Sequence, residues 1–417
     1  MTSKFLKHEI RFPRHASISA FGVERGELLV NGVPVRRLAE RVGRTPFYAY
    51  DRSAIRARIE RLRAVIPNDI QLHYAIKANP MPAIVQLLAT LADGLDVASA
   101  REMQIALDTG TPPREISFAG PGKTASEIAQ AVAAGIVINL ESVEQFEHAR
   151  QASERTGVAA RVAVRVNPDF ELKQSGMRMG GGAKPFGVDQ SEVPALLDRI
   201  EESGLELGGL HIYSGSQNLS CAAITDSQHK AVALAIQLLA GRRSKVRWVN
   251  IGGGFGVPYF PGDSPLALDQ IGSGLQACSE TARSELGVPL VLELGRYMVA
   301  EAGVYVTRVI DRKVSHGQTF LVVDGGLHHH LAASGNFGQV IRKNYPIAVG
   351  HDVEPVRRET QSVVGPLCTP LDLLGDRVDI ARASVGDLIV VFQSGAYGPS
   401  ASPQGFLSHP PPAEVLV

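Results

Sequence analysis

One pattern constrains the fold more than any other. Short apolar or β-branched runs recur along the chain, each followed by a Gly, Asn or Ser-rich turn and then an amphipathic stretch. Eight such runs are present, at 71–75, 94–97, 116–118, 136–139, 161–166, 209–212, 247–251 and 290–293. Helical patterns stand between them, at 81–91, 100–109, 126–134, 143–155, 193–203 and 222–239 among others. The alternation makes this an α/β chain, and eight units over about 230 residues suit a (β/α)8 barrel of the TIM type. A doubly wound open sheet shares the alternation, so the polar residues must separate the two. Lys77 with Asn79, Asp96 with Ser99, Gly120 to Lys123, Glu141 with Ser142, Asn167, Ser214 to Gln217, Gly252 to Gly256, and Glu293 with Arg296 all stand just after strands. A barrel gathers every one of these positions on one face, whereas an open sheet uses only those at its switch point.

From about residue 300 the pattern changes to strands without long helices, at 304–310, 319–323, 361–364 and 387–392. This reads as a second, β-rich domain, a sandwich or barrel. The leading segment, strand-like at 28–30 and 33–35, is expected to pack with it. The division is therefore 1–45 for the N-terminal segment, 46–298 for the barrel and 299–417 for the C-terminal β domain. The tail from Ser408, with Pro410 to Pro412, reads as a surface-running end.

Composition narrows the function classes. Lys and Arg (42) cancel Asp and Glu (42), which leaves no electrostatic footprint for nucleic acid or an anionic membrane. The first residues lack the apolar stretch of a signal peptide and no run suits a membrane span, so a cytoplasmic location is expected. Cys221, Cys278 and Cys368 are odd in number and far apart, which disfavours a disulfide framework or zinc ribbon. Glycine, at 42 residues, is in excess and clustered. Gly252 to Gly256 is not a dinucleotide fingerprint, because Val257 stands where its third glycine belongs, and Ser117 occupies the first glycine position of a P-loop ending at Lys123. Consecutive glycines nevertheless let backbone N–H groups approach an anion, and the last two loops of such barrels commonly bind phosphate.

Lys77 ends the apolar strand His73-Tyr74-Ala75-Ile76. A buried amine with a lowered pKa suits Schiff-base chemistry, while a strand-end lysine reaching out to water is the ordinary alternative. A phosphate loop on the same barrel face makes pyridoxal phosphate the cofactor that uses both features. Its pyridine nitrogen calls for an acidic partner, and Glu293 is the candidate.

Six ordered motifs now carry a resemblance: Tyr74 to Pro80, Asp96 to Ser99, Gly252 to Gly256, Glu293 to Arg296, Gly365 to Cys368, and Gly395 to Tyr397. Together they resemble the fold-type III pyridoxal phosphate decarboxylases, the group of the ornithine, arginine and diaminopimelate enzymes. Cys368-Thr369-Pro370, Gly326 to His330 and Met179-Gly180-Gly181 are similar to two branches: the decarboxylases associated with exosortase systems, and the butirosin-type decarboxylases acting on a carrier-protein-bound glutamyl group. The resemblance implies that Lys77 holds the cofactor aldehyde and Glu293 keeps the ring nitrogen protonated. It also implies cofactor contacts from Asp96, Tyr213, Ser216, Gly253, Gly254, Arg296 and Tyr397. Cys368 of the partner subunit would return a proton to the substrate carbon, which implies a homodimer with shared sites. Arg296, His328, Thr369 and Asp372 are the implied substrate-binding residues.

The chain departs from the family in ways that bear on substrate. The usual stacking histidine is replaced by Tyr213, and a structural role is expected for His211. The residue after Cys368 is Thr369 and not an acid, which removes a charge-assisted grip on a distal ammonium, although Asp372 stands nearby. The expected activity is α-decarboxylation of an amino acid or aminoacyl group without that ammonium, free or tethered to a carrier protein. Decarboxylation of a free diamino acid, amino-acid racemisation and a non-catalytic homologue are the alternatives; Glu293 disfavours the racemase, and Lys77 with Cys368 disfavours the last. His328, His329 and His330 are consecutive, so their side chains diverge and no metal site is expected.

Overall fold

The computed structural model describes residues 14–171, 177–178 (backbone), 180–242 and 245–417. The start of the chain and Met179 of the glycine loop motif lie outside the described residues. Eight parallel strands form the central sheet: β1 (Gln71–Ala75), β2 (Gly94–Val97), β3 (Ile116–Phe118), β4 (Val137–Leu140), β5 (Arg161–Asn167), β6 (Glu206–Ile212), β7 (Trp248–Gly253) and β8 (Leu290–Leu294). Each pairs with its successor and β8 pairs with β1, so the sheet closes into a barrel without an edge. The strands are almost wholly buried, as expected when helices cover the outside and side chains fill the inside.

Local chemistry fixes where each helix begins. The side chains of Asp51, Ser99, Thr124, Ser142 and Ser220 each accept a backbone N–H three residues on, and Thr124 with Glu127 completes a capping box. Ser99 and Ser142, grouped above with polar residues of the functional face, are therefore helix caps. The helix Leu268–Leu286 completes the crossover from β7 to β8.

The long strand Gly303–Ser315 organises the β domain, pairing with Gln318–Val323, Leu388–Val391 and Phe47–Tyr50. Phe47–Tyr50 thus belongs to this sheet, although the division at 46 placed it with the barrel; barrel structure begins at the helix Arg52–Arg63. The N-terminal segment packs Phe21, Leu28, Val30 and Leu38 against Phe47, Val304, Val306 and Val390, a core separate from that of the barrel. The return strand is short, Val33–Pro34, and runs at once into the helix Val35–Val42. The tail is not a loose end. Ala413–Leu416 pairs in parallel with Phe47–Tyr50, and the Tyr50 hydroxyl donates to Glu414 Oε1 at 2.7 Å. Such a pairing, across most of the chain, leaves no local trace beside three prolines.

Candidate active site

The carboxyl ends of the barrel strands and one loop of the β domain build a narrow pocket. Lys77, Tyr213, Ser216, Gly254, Glu293, Arg296 and Tyr397 line it, with Ala75, Phe255, Leu294 and Gly295. Lys77 follows β1 in a single 3-10 turn, and β8 delivers Glu293 beside it. Lys77 Nζ stands 3.5 Å from Glu293 Oε1 and 5.7 Å from the centre of the Tyr213 ring. Burial works against the lysine charge, but the Glu293 carboxylate outweighs it and holds the ammonium charged above the ordinary lysine range. Burial likewise opposes the Glu293 charge, and Lys77, then His211, then Arg165 hold that carboxyl well below its usual range. The sequence argument anticipated a lowered lysine pKa; the neighbouring carboxylate reverses it.

Tyr397 arrives from the β domain. Its backbone N–H donates to the Ala78 carbonyl at 2.8 Å, and Asn79 Nδ2 donates to the Gly395 carbonyl at 2.9 Å. The Lys77 turn and the Tyr397 loop are thereby joined across the domain boundary. Arg296 lies 4.6 Å from the Tyr397 ring centre and donates from Nη1 to the Tyr259 hydroxyl at 3.2 Å, while its buried Nε has no partner among the described residues. Gly252 and Gly254 take positive φ, 69° and 76°, which lets β7 turn sharply toward the pocket. Asn250 Oδ1 accepts the Gly252 N–H at 2.8 Å, and the Asn218 N–H donates to the Gly254 carbonyl at 2.9 Å, so the loops after β6 and β7 are knitted together.

Other sequence-derived residues lie elsewhere. Asp96 faces the barrel interior, 3.2 Å from His73 Nδ1 and accepting from Ser117 Oγ at 2.5 Å, and does not line the pocket. Gly253, at the end of β7, pairs beside Glu293. Cys368 is exposed, Thr369 is half-buried, and neither lines the pocket of its own chain. Asp372 is buried with Oδ1 accepting from Leu327 N–H at 2.6 Å and Oδ2 from Leu367 N–H at 2.8 Å, so it ties two loops together. The histidines do not all diverge, because the rings of His328 and His329 lie together. His329 Nε2 donates to the Pro410 carbonyl and His330 Nε2 to Ser394 Oγ, both at 2.9 Å, while His328 packs with its ring centre 3.7 Å from that of His329.

Sequence reasoning placed Lys123 and Glu141 on this face but missed Arg165, which joins them in a charged cluster. Arg165 Nη1 donates to Glu141 Oε1 at 2.9 Å, and Lys123 Nζ donates to the carbonyls of Gly120 and Asn139 at 2.6 and 2.9 Å. An arginine inside the apolar strand RVAVRVN was the available signal, since such a charge must face a partner within the barrel. A wider cavity, about 500 Å3, opens at the amino ends of β1 and β2, among Gln71, Asp93, Gly94 and Glu115. In this architecture that end serves stability.

Residues 52–300 match the family described as pyridoxal-dependent decarboxylase, pyridoxal binding domain. The chain belongs to the pyridoxal-dependent decarboxylases. It is 39% identical to the L-glutamyl-[BtrI acyl-carrier protein] decarboxylase of Niallia circulans, covering 89% of this chain and 88% of that protein. It is 32% identical to the diaminopimelate decarboxylase of Aquifex aeolicus, over 94% and 91% of the two chains. The Helicobacter pylori diaminopimelate decarboxylase complexed with L-lysine superposes with a TM-score of 0.81 at 29% identity, covering 92% of this chain and 94% of that one. The enzyme is thus a carboxy-lyase with pyridoxal phosphate as cofactor. Its pocket fits that group: an amine, a carboxylate, an aromatic ring, a glycine turn and a buried guanidinium with an unpartnered nitrogen converge there. No helix among the described residues is long and apolar enough to cross a membrane.

Proposed function

We propose that this enzyme removes the α-carboxyl group from an amino acid or aminoacyl group that lacks a distal ammonium, either free or presented on a carrier protein. The observation that carries this reading is the acid inventory of the pocket. Glu293 is the one acid among its lining residues and is already paired with Lys77, while Asp372 spends both oxygens on backbone N–H groups. A distal ammonium would be desolvated there without a counter-charge. The likeness to a decarboxylase of a carrier-bound glutamyl group points the same way.

Pyridoxal phosphate supplies an aldehyde for the substrate amine and a ring that accepts the electrons released with CO2. Lys77 would hold that aldehyde, Glu293 would face the ring nitrogen as a carboxylate, and Tyr213 would stack on the ring. Ser216, Gly253, Gly254 and Tyr397 would hold the phosphate, with Arg296 neutralising it or the substrate carboxylate. After the bond to the carboxylate breaks, Cys368 of the partner subunit would give its thiol proton to the α-carbon and recover one from water. Cys368 is exposed, as are the apolar residues Val340, Ile341 and Leu371, and hydrogen bonds from Asn336 to the Leu371 carbonyl and from Arg342 to the Leu373 carbonyl join the two segments, which supports a homodimer closing over this region.

Measuring CO2 release from free amino acids, their amides, diamino acids and carrier-bound aminoacyl groups tests the substrate class. Turnover of the carrier-bound or neutral-tailed compounds is expected; preferential turnover of diaminopimelate or ornithine would overturn that class. For the shared site, mixed Lys77→Ala and Cys368→Ala subunits should recover about a quarter of wild-type activity after random exchange. No recovery after demonstrated exchange would place the proton donor within one chain.

A further inference from the structure

Barrel strands present alternate side chains inward, and β5, β6 and β7 each place a polar one at the same level. His211 pairs in register with Arg165 on one side and Asn250 on the other. Arg165 is committed to Glu141 and Asn250 to the Gly252 turn. His211 reaches instead toward β8, where its Nε2 stands 3.1 Å from Glu293 Oε2, off the line of an ideal hydrogen bond. Both side chains are almost fully buried, at 2% and 4% exposure. The other ring nitrogen, Nδ1, has no partner among the described residues, and the Tyr213 ring lies edge-on at 6.3 Å. Glu293 is therefore held by one group on each oxygen: Lys77 at Oε1 and His211 at Oε2.

These two contacts are not equivalent. Lys77 is the residue that must leave Glu293 to serve the cofactor aldehyde, whereas His211 sits inside the barrel wall and has nowhere else to go. On the reading of Glu293 given above, we infer that His211 is a positioning residue: it keeps the Glu293 carboxylate oriented and charged toward the cofactor ring once Lys77 is engaged. It touches neither substrate nor reacting atoms and acts only through Glu293. Lys77, Arg165 and His73 also face Glu293, and Glu141, Tyr213 and Tyr397 are the further titratable groups around the pair. His211 is distinguished among them by making its shortest contact with Oε2, whereas that of Lys77 is with Oε1.

The test uses the cofactor-loaded enzyme with His211→Phe, His211→Gln, Glu293→Gln and the double variant His211→Phe/Glu293→Gln. The readouts are the visible absorbance of the bound cofactor as a function of pH, then kcat and KM, with thermal unfolding of the cofactor-free proteins alongside. His211→Phe should move the absorbance transition by about one pH unit and lower kcat about ten-fold, with KM within about a factor of two. His211→Gln, which keeps an N–H donor, should recover part of both effects. In the Glu293→Gln background His211→Phe should cost almost nothing more, because the two act as one unit. An unchanged absorbance transition in both His211 variants, or losses that simply add to those of Glu293→Gln, would overturn the inference. If Glu293→Gln itself leaves the absorbance untouched, the role given to Glu293 fails, and the inference about His211 falls with it for that separate reason.

Discussion

Two lysines, Lys77 after β1 and Lys123 after β3, stand at the same rim of the barrel in opposite electrostatic circumstances. Lys77 opens into the pocket and faces the Glu293 carboxylate at 3.5 Å. Lys123 is sealed under Phe118, its amine donating to two carbonyls, while the nearest acid, Glu141, is engaged by Arg165. Burial, only partly countered by Glu141, draws Lys123 down to about 8. A lowered pKa alone would nominate Lys123 as the reactive amine. Access nominates Lys77. The pocket can set the charge of a lysine by what it places opposite, but it cannot use a lysine that two carbonyls have already claimed.

The strongest way to break this contrast is to remove each amine in turn. Lys77→Ala should lose the visible absorbance of bound cofactor and reduce CO2 release about a thousand-fold or more, equivalent to about 4 kcal/mol. Lys123→Met should keep the cofactor; if it loses the absorbance and Lys77→Ala retains it, the assignment is reversed. A smaller effect comes from the acids. Glu293→Gln should lower kcat about a hundred-fold, about 2.7 kcal/mol, whereas Glu141→Gln should act mainly on unfolding, because Glu141 braces Arg165 and two backbone N–H groups. Equal losses of kcat in the two variants would erase the distinction between a site acid and a structural one.

The smallest effect is a pH dependence of stability. The folded-state pKa of Lys123, about 8, lies below its ordinary value of 10.5, so the unfolded chain binds the extra proton between those values. Stability of the wild type relative to Lys123→Met should therefore rise between pH 8 and 10.5, by about 2 kcal/mol in denaturant titrations. A difference that stays flat or falls over this window would mean that the two carbonyls keep the ammonium charged.

Much of this was legible in the residue order because its causes are local. The eight strands were readable from their apolar runs, and all but β6 and β7 begin and end within a residue of the reading. Lys77, Glu293, Arg296 and the glycine turn were readable as a set, because a barrel brings every strand end to one rim. The misreadings share a different cause. Ser99 and Ser142 looked functional because a helix cap and a site residue occupy the same position after a strand. Asp372 looked available to a substrate, yet its oxygens are spent on Leu327 and Leu367, more than forty residues away in one case and five in the other. The tail looked loose because its partner strand lies near the opposite end of the chain.

The sequence by itself determined the alternation that makes a barrel, the change to a β domain near residue 300, and the residue types that a pyridoxal cofactor requires. These follow from periodicity and from side-chain chemistry, both of which a linear chain carries. Only the tertiary structure decided the charge of Lys77, the commitment of Asp372, the joining of Tyr397 to the Lys77 turn and the contact between His211 and Glu293. Each of these depends on which group closure of the barrel sets opposite another across a dry interior, where one neighbour at 3 to 4 Å outweighs burial itself.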